Sequence, residues 1–95
     1  MEGEPRYALE KLDAVLISMG CMAETSRVDG ITRAWLNPDA PLEEGGSPTI
    51  ATFRTDKGER SAGLNAVVSI AIKLRLDPQE VLQKIRDAGG EVLDP

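Results

Sequence analysis

Apolar positions recur at helical spacing in the last third of the chain. Leu64, Val67, Val68, Ala71, Ile72 and Leu74 leave one broad stripe, and Val81, Leu82 and Ile85 continue it. A pair of helices is therefore expected across 61–90. Between them stands a well-marked corner. Asp77 suits an N-cap, Pro78 the first helical position, and Glu80 stands where a capping box would reach back to the cap N–H. Leu76 and Val81 flank it as a hydrophobic staple would, and Gly89-Gly90 supply a left-handed stop.

Nearer the start, Ala8, Leu9, Leu12, Val15, Leu16 and Met19 fall at helical spacing, with Pro5 as an opener and Gly20 as a stop. A helix over 5–20 is expected; a buried strand at 14–18 is the competing reading, because Val-Leu-Ile is β-prone. Residues 21–27 read as a connector. From Val28 to Asn37 the pattern alternates, Ile31, Arg33 and Trp35 on one side and Thr32, Ala34 and Leu36 on the other. Thr49 to Thr55 reads as a second strand, and the acidic Pro/Gly-rich stretch 37–48 as a long hairpin loop, of which 38–47 is expected to be mobile and tolerant of shortening. Residues 1–4 read as frayed and 91–95 as a tail or edge strand. The expectation is a single α+β domain over 1–95: an N-terminal helix, a β-hairpin, then a helical pair.

Ninety-five residues form one small domain in which every apolar stripe is needed. With three aromatics (Tyr7, Trp35, Phe53), the core is expected to be aliphatic. A net charge of −5 argues against a nucleic-acid or anionic-membrane surface, which needs a clustered basic patch. The longest apolar run, 66–72 with Ser69 inside it, is far shorter than the ~20 residues of a membrane span. The acidic N-terminus does not read as a signal peptide, and one cysteine excludes an internal disulfide. A cytoplasmic setting follows as the expectation.

Few residues carry chemistry. The absence of histidine removes the commonest general base and metal ligand. Cys21 is the single thiol, and without a base or second cysteine it reads as buried rather than nucleophilic. Asp39, Glu43 and Glu44 lack the alternating ligands of a calcium loop and read as solvated acids. The turn Lys57-Gly58 with Arg60 and Ser61, set before a helix, is the best candidate for an anion. A turn and helix start explain it without a ligand. Trp35 is either a core anchor or an interface residue. No metal and no cofactor are expected.

The order from the strand ending in Leu36-Asn37 is specific enough to compare with known domains. An acidic loop, a strand ending at Phe53, Lys57-Gly58, the small residues Ser61-Ala62-Gly63, an aliphatic helix and Asp77-Pro78-Gln79-Glu80-Val81 follow in turn. Over roughly 32–85 the chain resembles the TSCPD-type domain found at the C-terminus of adenosylcobalamin-dependent ribonucleotide reductases and as stand-alone small proteins. The Thr-Ser-Cys-Pro-Asp motif itself is absent, and Ser61 stands where relatives often carry a small residue or cysteine. The resemblance implies an accessory or regulatory role in nucleotide reduction and carries over no catalytic residue.

The expected function is that of a non-enzymatic interaction or regulatory module, working as a homo-oligomer or docked on a protein partner. The alternatives are an anion- or nucleotide-sensing domain using the Lys57–Arg60 turn, and a redox-responsive thiol protein using Cys21.

Overall fold

The computed structural model describes residues 5–55 and 60–93. It is an α+β fold with three helices and two three-stranded antiparallel sheets. In order these are β1 (Pro5–Ala8), α1 (Leu9–Ser18), β2 (Met22–Thr25), β3 (Thr32–Leu36), β4 (Ile50–Arg54), β5 (Ser61–Gly63), α2 (Leu64–Lys73), α3 (Pro78–Asp87) and β6 (Glu91–Leu93). Sheet A has the order β5-β1-β6 and sheet B the order β2-β3-β4.

Three expected elements change, and an alternative left open is decided. Residues 5–8 are a strand rather than the first turn of a helix, because Tyr7 pairs with both Ala62 and Glu91 in sheet A. The connector at 21–27 contains β2, whose Met22-Ala23-Glu24-Thr25 has no apolar period but pairs in register with Leu36 to Arg33. Ser61 to Gly63 form β5 instead of opening the helix, which starts at Leu64. Residues 91–93, read as either a tail or an edge strand, are an edge strand.

All three helices end in the same way. The N–H of the second residue past the cap returns to the carbonyl five back: Cys21 to Leu16 at 3.0 Å, Leu76 to Ala71 at 2.9 Å and Gly90 to Ile85 at 2.8 Å. The residue between is left-handed, as this closure requires. Gly20 (φ 98°) and Gly89 (φ 77°) take that conformation freely, whereas at the end of α2 it falls to Arg75 (φ 61°). Gly90 is needed for a different reason. A Cβ there would lie 2.6 Å from Lys11 Cβ and 2.7 Å from Ile85 Cγ2, so it marks where α3 closes on α1.

At the start of α3, Asp77 Oδ1 accepts the Gln79 N–H at 3.0 Å and Pro78 occupies the first turn. Glu80 is exposed and makes no bond back to the cap N–H among the described residues. Leu76 packs on the core and Val81 is fully buried within it.

One core joins both sheets and the three helices. Tyr7 and Ala62 enter it from sheet A, Trp35 and Ala51 from sheet B; Leu12, Leu16, Val67, Leu74, Val81 and Ile85 enter from the helical segments. Its largest fully buried side chains are Trp35 and Tyr7, so the core is anchored by two of the three aromatics and is not purely aliphatic. No helix among the described residues is long and apolar enough to cross a membrane.

Candidate functional site: the outer face of sheet B

Alternation in a strand sends successive side chains to opposite faces, and register decides which of them become neighbours. In sheet B the pairing sets Ala23, Trp35 and Ala51 side by side on the inner face. On the outer face the same register sets Met22, Leu36 and Ile50 in one row, with Glu24, Ala34 and Thr52 in the next. Met22 is 64% exposed and Ile50 44%, while Leu36 and Ala34 are partly covered. Glu24 and these four apolar residues, together with Ala23 and Trp35, line a shallow depression of about 200 Å³.

The inner face is held rigidly. Arg33 donates through Nε and Nη2 to the two carboxylate oxygens of Asp13 on α1 at 3.0 and 2.8 Å. Trp35 Nε1 donates to Asp13 Oδ1 at 2.7 Å, and Arg33 Nη1 to Thr25 Oγ1 at 3.0 Å. One carboxylate thus satisfies the buried indole and a two-pronged guanidinium, fixing the sheet against α1.

At the end of the sheet where the apolar row lies, β3 leaves through Asn37 into the 37–49 loop, which returns at Ile50. Asn37 is buried; its Nδ2 donates to the carbonyl of Leu74 at the end of α2 at 2.8 Å, and its Oδ1 accepts the Asp39 N–H at 3.0 Å. Further along, Glu43 N–H reaches the Ser47 carbonyl at 2.7 Å and Gly46 N–H the Glu43 carbonyl at 2.9 Å. The loop has turns of its own, and it presents Asp39, Glu43 and Glu44 exposed. At the opposite end of the sheet, Asp29 closes the β2–β3 turn. Its carboxylate accepts the N–H groups of Ile31 and Thr32 and the Thr32 hydroxyl at 2.9, 3.0 and 2.8 Å. These bonds, that from Ile31 foremost, hold the carboxyl below the usual range.

The residues singled out from sequence do not gather into one site. Lys57 and Gly58 lie outside the described residues. Arg60 is exposed and its carbonyl accepts the Leu9 N–H at 2.8 Å, capping α1 rather than opening α2. Ser61 is committed within sheet A, its hydroxyl accepting Arg6 Nε at 2.8 Å and its carbonyl Arg6 Nη2 at 2.9 Å. Trp35 is 1% exposed, a core anchor rather than a surface contact. Cys21 is buried beyond the end of α1, and burial pushes its thiol pKa up, away from the thiolate that nucleophilic chemistry needs. Among the described residues, no group of three or more acidic or thiol side chains is placed to hold a metal ion.

No family model, curated protein or solved structure matches this chain. Its function has to be read from its own surface. The row that sequence analysis missed, Met22-Leu36-Ile50, had half a signal there: alternation in 28–37 set Leu36 opposite Trp35. What was missing was register, since only the pairing of three strands makes neighbours of residues 14 positions apart.

Proposed function

We propose that this chain is a non-enzymatic interaction module that docks a protein partner on the outer face of sheet B. The observation that carries this reading is the apolar row Met22-Leu36-Ile50, continuous across all three strands and open to solvent on a braced sheet. Single exposed apolar residues are ordinary on a protein surface; a contiguous set rimmed by polar groups marks a contact surface. The resemblance of 32–85 to TSCPD-type domains supports an accessory role in nucleotide reduction, with a ribonucleotide reductase-like protein as the partner.

The test is affinity capture from the native host, comparing the wild-type chain with Met22→Ser/Ile50→Ser. The expected result is a protein retained by the wild type and lost by the variant, with circular dichroism melts showing both folded. Equal retention by the two folded proteins overturns the reading.

A further inference from the structure

We propose that the occupant of the outer face of sheet B is a basic amphipathic helix presented by another protein. The proposal rests on the reading of that face as an interaction surface and names the chemistry of the partner. Width is the first argument. The row spans two interstrand spacings, roughly 10 Å, which is the diameter of one helix with its side chains. A single helix laid along the strands covers Met22, Leu36 and Ile50 together, as helices cover sheet faces within domains.

Charge is the second. Glu24 stands beside the apolar row on the same face, and the chain runs directly from Leu36 into the segment that exposes Asp39, Glu43 and Glu44 and returns at Ile50. Glu24 and the loop that joins the apolar ends of β3 and β4 thus carry exposed acids, on a chain of net charge −5. A partner whose apolar stripe is flanked by Lys or Arg matches both features, and the acids beside the row draw it in.

A second copy of this chain fits worse. With a twofold axis along β3, the apolar rows of two copies meet but so do their acidic loops. With the axis across the middle of the strands, the loops separate but each apolar row faces the Thr32 and Arg54 end of its mate; with the axis along the row itself, the rows meet but each acidic loop falls on the Glu24 side of its mate.

The test is fluorescence anisotropy with a labelled Leu–Lys amphipathic helical peptide and a Leu–Glu peptide of the same length and stripe. Binding of the Leu–Lys peptide alone is expected. Met22→Ser/Ile50→Ser should weaken it by about tenfold, the equivalent of about 1.4 kcal/mol. Glu43→Gln/Glu44→Gln should weaken it by roughly fivefold at low salt and leave it unchanged at high salt, where exposed charges are screened. Glu80→Gln/Asp87→Asn, which removes the same charge from α3, should change nothing. Equal loss in the α3 variant means unspecific attraction and overturns the proposal, as does equal binding of the Leu–Glu peptide. A dimer in sedimentation that Met22→Ser dissociates overturns it in favour of the second copy. If the Leu–Lys peptide fails while capture still depends on Met22 and Ile50, the helix proposal falls and the interaction reading stands.

Discussion

Thr49, the last residue before β4, is 4% exposed, and its hydroxyl is a buried side-chain oxygen without a partner among the described residues. An unmade hydrogen bond in the interior costs more than a made one contributes. Thr49→Val keeps the shape and removes the orphan, and should stabilise the protein by about 1 kcal/mol in urea denaturation. Glu91 is the opposite case. Its Oε2 accepts from Arg86 Nε at 2.8 Å and from the Tyr7 hydroxyl at 3.1 Å, and Arg86 Nη2 donates to that hydroxyl at 3.3 Å. The Arg86 hydrogen bond foremost holds the Glu91 carboxyl below the usual carboxylate range. A depressed carboxylate contributes its stability above the unfolded pKa and loses it as pH falls through the folded one. The melting temperature should therefore drop as pH falls below about 4. Glu91→Gln should start lower at neutral pH and show a shallower acid limb; an identical limb would mean that the network is not what titrates.

Among the elements, the corner from Arg75 to Val81 is where local sequence and tertiary packing agree most closely. Asp77→Ala removes the acceptor of the Gln79 N–H and should cost about 1 kcal/mol. Leu76→Ala should cost about 2 kcal/mol, the low end for a large-to-small change, because the side chain is only partly buried. Pro78→Ala should be mild, since that position needs no N–H. Arg75→Gly should stabilise by up to about 1 kcal/mol: it relieves the left-handed strain of a residue with a Cβ and gives back part of that in chain entropy. A urea series on the four variants checks the order Leu76, Asp77, Pro78, with Arg75 of opposite sign. The corner was legible because caps and turns are written in adjacent residues. The short strands were not. Pro5 to Ala8 runs straight into the apolar period of α1, and Met22 to Thr25 has no period at all, so only partners far along the chain make them strands. The outer row Met22-Leu36-Ile50 shares that fate, being a product of register, whereas the burial of Cys21 and the parity of Leu36 against Trp35 could be read directly from the chain.

On the scale of the whole molecule, the two sheets differ in how they are threaded. Sheet B is a meander of consecutive strands, while sheet A gathers Pro5–Ala8, Ser61–Gly63 and Glu91–Leu93 from the beginning, middle and end of the described chain. That difference has a kinetic meaning. Closing a loop costs entropy before its contacts return anything, so pairings between close neighbours are reached sooner than those between distant ones. Sheet B, with α1 docked through Asp13, should be largely formed in the folding transition state, and sheet A should zip up afterwards. Truncations that weaken sheet B, such as Ala51→Gly and Phe53→Leu, are expected to slow folding. Truncations in sheet A, such as Tyr7→Phe and Val92→Ala, should mainly speed unfolding. Chevron analysis of these four variants separates the two limbs. Slowed folding in the sheet A variants would place the nucleus at the joined ends instead. On this ordering the outer face of sheet B matures first, and the pairing of β1 with β6 is the last to close and the first to open.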